Sequence, residues 1–407
     1  MNPGSNIHCG VPNCQGLDQL ESGSHRTALS PFSAAEYRAR IEKTLTILER
    51  ERLDALLCYA SKIIPGNVRY LTGYEPRLGI HDAAFFLMIP GREPELTLFT
   101  NASWQSPLEQ SWVSSTVVTS DFGNEIGARL PASITRLGVA GYSYLPIPVY
   151  LSLKNRFSDL TMVDATGALL RLRSVKSEDE VDLLRRCAQL MDQGGRAFLD
   201  GVRAGASERE IAAAVEHAMK YNGSDEVSFT TQVGSGERTS RVVIYPSDEV
   251  LAEGDPVQLD CGATCQGYRG DLSRVKVVGT PGKDYRCMLD AVEEMYFACV
   301  DALRPGVIGC EIAQIGINIA KAHHLEEFLY RSPNHGAGFM GHGIGCHYSE
   351  PPELTPDDDT VLEENMVLII EPILMRPGVG GVKIEDAVLT ARHGAERLSS
   401  CDIKTWS

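Results

Sequence analysis

A glutamate in the middle of an apolar strand constrains this chain more than any other feature. Val367-Leu-Ile-Ile-Glu371-Pro-Ile-Leu374 reads as a buried strand. A carboxylate there loses hydration that it regains only from a cation, a proton or dedicated donors. The pattern recurs. Asp260 follows strand-like Val257-Gln-Leu259, Asp271 lies beyond a Gly-containing loop, and Glu385 lies within Val382-Lys-Ile-Glu-Asp-Ala-Val388. A hairpin turning between Asp260 and Asp271 brings the two carboxylates onto one face. His342, enclosed in Gly341-His-Gly-Ile-Gly345, is a candidate partner. Read singly, each is equally well a solvated surface acid or a loop histidine. Read together, four clustered carboxylates repel one another, and two divalent ions offset their charge while the histidine stays neutral. An oxygen-rich set with one imidazole suits Mn, Fe, Co or Zn.

Composition narrows the partners. The 407 residues include 38 Lys+Arg against 54 Asp+Glu, a formal net charge of −16. That balance argues against nucleic acid or an anionic membrane surface, whose binding relies on basic side chains. No apolar run approaches the roughly 18 residues a membrane-spanning helix needs, and the N-terminus lacks the apolar core of a secretory signal. Eleven cysteines are scattered rather than spaced as a framework, which predicts reduced thiols and a cytoplasmic location. Cys261 and Cys265 read as packing residues, and His8, Cys9 and Cys14 either bind metal or belong to a disordered tail. The Gly-rich loops lack a phosphate-binding lysine between strand and helix, which disfavours nucleotide binding.

Along the chain, residues 1–29 read as a flexible tail, 30–172 as an α/β domain and 173–407 as an α+β domain. The first domain opens on the capping pattern Ser33-Ala-Ala-Glu36, with strands expected at Ala55 to Tyr59, Ala83 to Ile89, Leu96 to Thr100, Leu137 to Ala140 and the Pro-bearing Leu145 to Tyr150. In the second, Ser177-Glu-Asp-Glu180 and Ser207-Glu-Arg-Glu210 cap two helices that precede a strand pair. A further helix pair, near Tyr285 to Leu303 and Glu311 to Tyr330, precedes the strands Val367 to Leu374 and Gly381 to Leu389. The order helix, helix, hairpin thus occurs twice.

Asp260-Cys-Gly262, Gly267-Tyr-Arg-Gly-Asp271-Leu-Ser-Arg274, Gly341-His-Gly-Ile-Gly345, Ile370-Glu-Pro372 and Lys383-Ile-Glu-Asp386 together resemble the pita-bread metallopeptidase family of prolidases, Xaa-Pro aminopeptidases, methionine aminopeptidases and creatinase. The likeness spans roughly residues 30 to 400 and is strongest to the prolidase/creatinase branch. It implies a creatinase-type N-terminal domain, a pita-bread catalytic domain, a homodimer, and two metal ions held by Asp260, Asp271, His342, Glu371 and Glu385. Glu371 would also accept the proton of the attacking water.

The resemblance breaks at two positions where peptidase members carry histidine: Val243 and Ser349 stand there. Valine donates no hydrogen bond, and serine donates one without a useful pKa. His347, Tyr348 and Glu350 are candidate replacements for acid or base work. Arg238 and Arg241 fall where the family lines its substrate pocket and suit a carboxylate-bearing substrate. Arg77 and His81 fall where one subunit's N-terminal domain reaches its partner's site. Lys383 replaces the usual arginine, keeping a cation and losing bidentate geometry.

The expectation is a dinuclear-metal enzyme acting on a small, carboxylate-bearing molecule, by hydrolysis of an amide-like C–N bond or by Lewis-acid lyase or cyclisation chemistry. A genuine Xaa-Pro dipeptidase and a non-catalytic binding scaffold are the alternatives.

Overall fold

The computed structural model describes residues 30–77, 82–101, 111–333 and 336–403. The tail call on residues 1–29, its candidate ligands His8, Cys9 and Cys14, and His81 lie outside the described residues.

The first half is built on a six-stranded mixed sheet. Its spatial order is Thr116–Val118, Glu95–Thr100, Ala83–Ile89, Ala55–Ser61, Arg136–Ala140 and Thr161–Asp164. Ala55–Ser61 sits centrally, antiparallel to Ala83–Ile89 and parallel to Arg136–Ala140, and its apolar run is buried on both faces. The helix Ala34–Glu51 starts at Ser33, whose hydroxyl accepts from the Glu36 amide. Glu36 does not complete the capping box, because its carboxylate takes the Arg40 guanidinium at 2.9 Å. The strand expected at Leu145 to Tyr150 is instead the start of a helix, Ile147–Arg156. Proline is tolerated in a first turn, where backbone N–H groups lack intrahelical partners, and Lys154 and Arg156 complement the far end. Only Val149 and Leu153 of this helix are buried, four residues apart.

The second half contains the doubled motif. Helices Glu178–Gly201 and Glu208–Tyr221, each opened by a complete capping box, precede an antiparallel sheet of Gln232–Ser235, Pro256–Cys261 and Leu272–Val277. Helices Lys283–Ala302 and Gly309–Ala322 precede a five-stranded sheet ordered Glu350–Glu353, Gly341–Gly343, Val367–Ile370, Asp386–Ala391 and Gly394–Arg397. The fourth helix ends at Ala322, well before Tyr330, and His324 adopts a left-handed conformation just beyond it. The expected strands Val367 to Leu374 and Gly381 to Leu389 are each divided, because the hairpin changes sheets at Glu371-Pro372 and Ile384-Glu385. Two apolar clusters form the core of this half, one continuous with the first domain's sheet and one under the second helix pair. No helix among the described residues is long and apolar enough to cross a membrane.

Candidate metal centre

Register places the acids. Asp260 pairs across the ladder with Ser273, so Asp271 faces Gly262 two residues along and lies on the same face as Asp260. That turn is tight: a Cβ on Gly262 would stand 2.2 Å from the Gly270 carbonyl oxygen. Ile370 pairs with Asp386 and Ile373 with Lys383, so the break in the hairpin sets Glu371 opposite Glu385. There the backbone bonds are redirected. The Glu371 amide donates to Met340, while Glu385 and Ser273 exchange hydrogen bonds across to the three-stranded sheet. Gly341 makes the fifth approach possible, since at φ +152 a Cβ there would lie 1.9 Å from the Ile369 carbonyl oxygen.

The five side chains converge, all nearly buried. His342 Nδ1 lies 2.8 Å from the Gly343 carbonyl oxygen. A proton on Nδ1 satisfies that acceptor and leaves the Nε2 lone pair facing the carboxylates. Nε2 is 3.1 Å from Glu371 Oε1 and 3.9 Å from Asp271 Oδ2. One ligand atom each from Asp271, His342 and Glu385 lies within 4.8 Å of the others. Lys383 Nζ donates to Asp260 Oδ2 at 2.6 Å and stands 3.1 Å from Glu385 Oε2.

Electrostatics show how such a cluster behaves. Burial first, then the charges of Glu385 and Asp260, push the Asp271 carboxyl well above the usual range. Burial and the Glu371 and Asp260 charges outweigh Lys383 and push Glu385 up to about 8. Burial also opposes ionisation of Glu371 and His342, but their mutual hydrogen bond and charge prevail, holding the glutamate low and the histidine high. Asp260 Oδ1 and Asp271 Oδ1 are buried without any hydrogen-bond partner. Oxygens orphaned in this way, beside an imidazole whose Nε2 faces the same carboxylates and is a ligand once it gives up its proton, fit a hard or borderline divalent cation.

The centre forms the floor of a cavity of about 350 Å³, whose wall includes Val243, Tyr348, Ser349 and Phe339. The other candidates divide. Tyr348 lines the cavity and packs edge-on against Phe229. His347 does not reach inward: its Nδ1 lies 3.0 Å from the Ser349 carbonyl oxygen and its Nε2 3.2 Å from that of Ile63, and burial lowers its pKa. Glu350 is turned away, buried in an ion pair with Arg173 and accepting from the His347 amide at 2.8 Å.

Arg238 is also committed elsewhere. It pairs with the buried Glu208 and donates to the Tyr245 carbonyl oxygen at 2.8 Å. Glu208 in turn accepts from both the amide and the hydroxyl of Ser235 and Ser247, so these residues pin the loop that carries Val243. Arg241 is exposed, and Arg77 is exposed with Glu75 3.6 Å away. Among the described residues lining the cavity there is no arginine.

Sequence reasoning missed Gln232. It stands directly across from Asp260 in the ladder, donates to Asp260 Oδ2 at 3.0 Å and accepts from the Ile244 amide at 2.8 Å. Only the register of Gln232–Ser235 against Pro256–Cys261 reveals it. The buried pair of Arg274 and Asp386, 2.7 Å apart, was also missed, although both residues lie in the quoted motifs.

Comparison with known proteins agrees with this geometry. The family model described as Metallopeptidase family M24 matches residues 182–392, and that of the Creatinase/Prolidase N-terminal domain matches residues 40–175. The chain is 29% identical over 365 residues to a Xaa-Pro dipeptidase of Pyrococcus furiosus, covering 90% of this chain and 99% of the relative. Its fold superposes on the prolidase from Pyrococcus horikoshii OT3 with a TM-score of 0.80 at 29% identity, covering 90% of this chain and 99% of that one. A Xaa-Pro dipeptidase from Bacillus anthracis superposes with a TM-score of 0.80 at 25% identity, covering 91% and 99%.

Proposed function

The chain belongs to metallopeptidase family M24 and is a metal-dependent hydrolase, and on that footing we propose that it cleaves the amide bond of small peptides of the Xaa-Pro type. The convergence of Asp260, Asp271, His342, Glu371 and Glu385 on the floor of one cavity carries this reading. The relatives named Xaa-Pro dipeptidase and prolidase support the substrate class.

In this proposal the five side chains hold divalent metal, drawn from Mn, Fe, Co or Zn. The metal supplies Lewis acidity, polarising a carbonyl and acidifying water. The chain's own residues do the remainder. His342 keeps Nε2 aimed at the centre through its Nδ1 contact to Gly343. Glu371, held by the Met340 carbonyl at its amide and by His342 at its carboxylate, is placed to receive the proton of the attacking water. Phe339 and Val243 are apolar members of the wall, and the Tyr348 hydroxyl, on the same wall, serves as a donor for a leaving nitrogen. Association of two copies, with Arg77 of one chain beside the cavity of the other, belongs to the same reading and is measured by light scattering.

A second reading keeps the metal chemistry and changes the substrate to a non-peptide amide or cyclic amide. The observation favouring it is the pocket wall, where Val243 and Ser349 offer no group able to shuttle a proton. One experiment separates the two: turnover of a panel of Xaa-Pro dipeptides with Mn²⁺, beside small cyclic amides. Robust dipeptide cleavage establishes the first reading; cleavage of cyclic amides alone establishes the second; metal-independent or absent turnover of both removes the hydrolytic proposal.

A further inference from the structure

Among the described residues, two side-chain amides line the cavity, and only one of them is spoken for. Gln232 is committed at both ends, its nitrogen to Asp260 and its oxygen to the Ile244 N–H. Gln258 is not. It lies in the strand Pro256–Cys261 two residues before Asp260, so the two side chains share a face of the sheet. It is 4% exposed, and its Oε1 is buried without a hydrogen-bond partner.

The neighbouring strands explain why. Across the ladder Gln258 faces Val275 on one side and Gly234 on the other, and neither side chain carries a donor. Ile244 folds over Gly234, where a Cβ would stand 2.4 Å from Ile244 Cγ2. The same segment carries Val243 into the cavity wall. Oε1 is thus left to whatever fills the cavity. A buried acceptor with no partner is costly, so an occupant that brings a donor recovers that cost on binding.

The proposed substrate restricts what that donor is. Proline nitrogen is tertiary once acylated, so an Xaa-Pro dipeptide has no N–H at its peptide bond. Its backbone donors all belong to the terminal amine, which is charged over most of the neutral range. Hydrogen bonds from a charged donor are the stronger kind.

Resting on the Xaa-Pro reading above, we propose that Gln258 is a specificity-determining residue whose Oε1 accepts a hydrogen bond from the free terminal ammonium of the substrate. A site built around such an acceptor rejects molecules that lack the matching donor, because the acceptor is then left unpaired.

The test uses the full chain with Mn²⁺ and alanyl-proline. Gln258→Met keeps the length of the side chain and removes the acceptor. Its KM is expected to rise about tenfold or more, the loss of one hydrogen bond to a charged group, with kcat within about threefold. Because an unpartnered polar group gives way to an apolar one, its urea midpoint should equal or exceed that of the unaltered protein. Gln258→Glu, ionised, accepts and cannot donate, so its KM should stay within about threefold of the unaltered value.

Three results each overturn the inference: a KM in Gln258→Met within about threefold of the unaltered value, a lower urea midpoint in that variant, which would reveal a structural partner, or a KM in Gln258→Glu raised as far as in Gln258→Met, which would make the amide a donor. Should Gln258→Glu fail to fold, Gln258→Met still decides. Absent turnover by the unaltered protein overturns the Xaa-Pro reading and this inference with it, and so is distinguishable from turnover with an unmoved KM.

Discussion

Ser273 and Glu385 exchange both backbone hydrogen bonds, each at 3.2 Å, and this single pair stitches the three-stranded sheet to the hairpin of the other repeat. It brings Asp260 and Asp271, from one sheet, against Glu371, His342 and Glu385, from the other. The buried guanidinium of Arg274 reinforces the seam. It donates to the Ser273 and Glu385 carbonyl oxygens at 2.8 Å each and to Asp386 Oδ1 at 2.7 Å, while Tyr296 donates to the other oxygen of Asp386.

Removing Arg274 leaves the buried Asp386 without its guanidinium partner on Oδ1, with Arg397 3.2 Å from Oδ2 as its remaining cation. Arg274→Met is expected to destabilise the protein by about 3–5 kcal/mol, measured as a fall in the denaturant midpoint. A loss below 1 kcal/mol would show that the seam is held by its backbone bonds alone.

On the proposed reading, the five convergent side chains should answer to removal of the ion. With free Mn²⁺ at a hundredfold excess over its dissociation constant, stabilisation of about 2.7 kcal/mol is expected from mass action. Differential scanning calorimetry with and without chelator reads it. His342→Ala should unfold at one temperature in both conditions and lose at least about a hundredfold in turnover, a loss of about 2.7 kcal/mol in barrier lowering.

Glu208 links pH to the loop that carries Val243. Burial opposes its ionisation, but the Ser247 and Ser235 hydrogen bonds and the Arg238 charge prevail and lower its pKa below the ordinary glutamate value. A carboxyl whose folded pKa is depressed adds stability that is present above its unfolded value, about 4.3, and is lost as pH falls through the folded one. Glu208→Gln should therefore be less stable than the parent at pH 7, with the gap closing below about pH 4. Urea unfolding across that range gives the answer, and a gap that is constant with pH contradicts it.

His347 and the pocket wall give opposite expectations. His347→Ala should change kcat by less than about threefold, because its ring nitrogens face the Ser349 and Ile63 carbonyl oxygens and not the centre. Introducing histidines through Val243→His and Ser349→His, at positions that line the cavity, should raise kcat/KM on Xaa-Pro dipeptides by tenfold or more, within the range a placed acid or base supplies, about 10²–10⁴. Steady-state kinetics on one substrate compares all three variants.

Much of the arrangement was legible from the residues. An acid in an apolar strand has few stable outcomes, so Glu371 and Glu385 pointed to one candidate cation site, and the capping boxes at Ser177 and Ser207 fixed where two helices begin. The helix Ile147–Arg156 was misread as a strand because a proline in a first turn and one before an edge strand give the same local signal. Likewise, periodicity gave no hint that the hairpin strands divide at the two glutamates, since both halves remain apolar.

What the amino-acid order determined by itself was the chemistry on offer: which side chains are charged and which are forced into apolar surroundings. Tertiary structure alone decided which of those groups meet. His347, Glu350 and Arg238 carry suitable chemistry and are spent on Ile63, Arg173 and Glu208, while Gln232 and Lys383 reach Asp260. The physical reason is that a side chain's partner is set by strand register and by which face of a sheet it shares, and those contacts join residues more than a hundred positions apart, as in the 123-residue separation of Asp260 and Lys383.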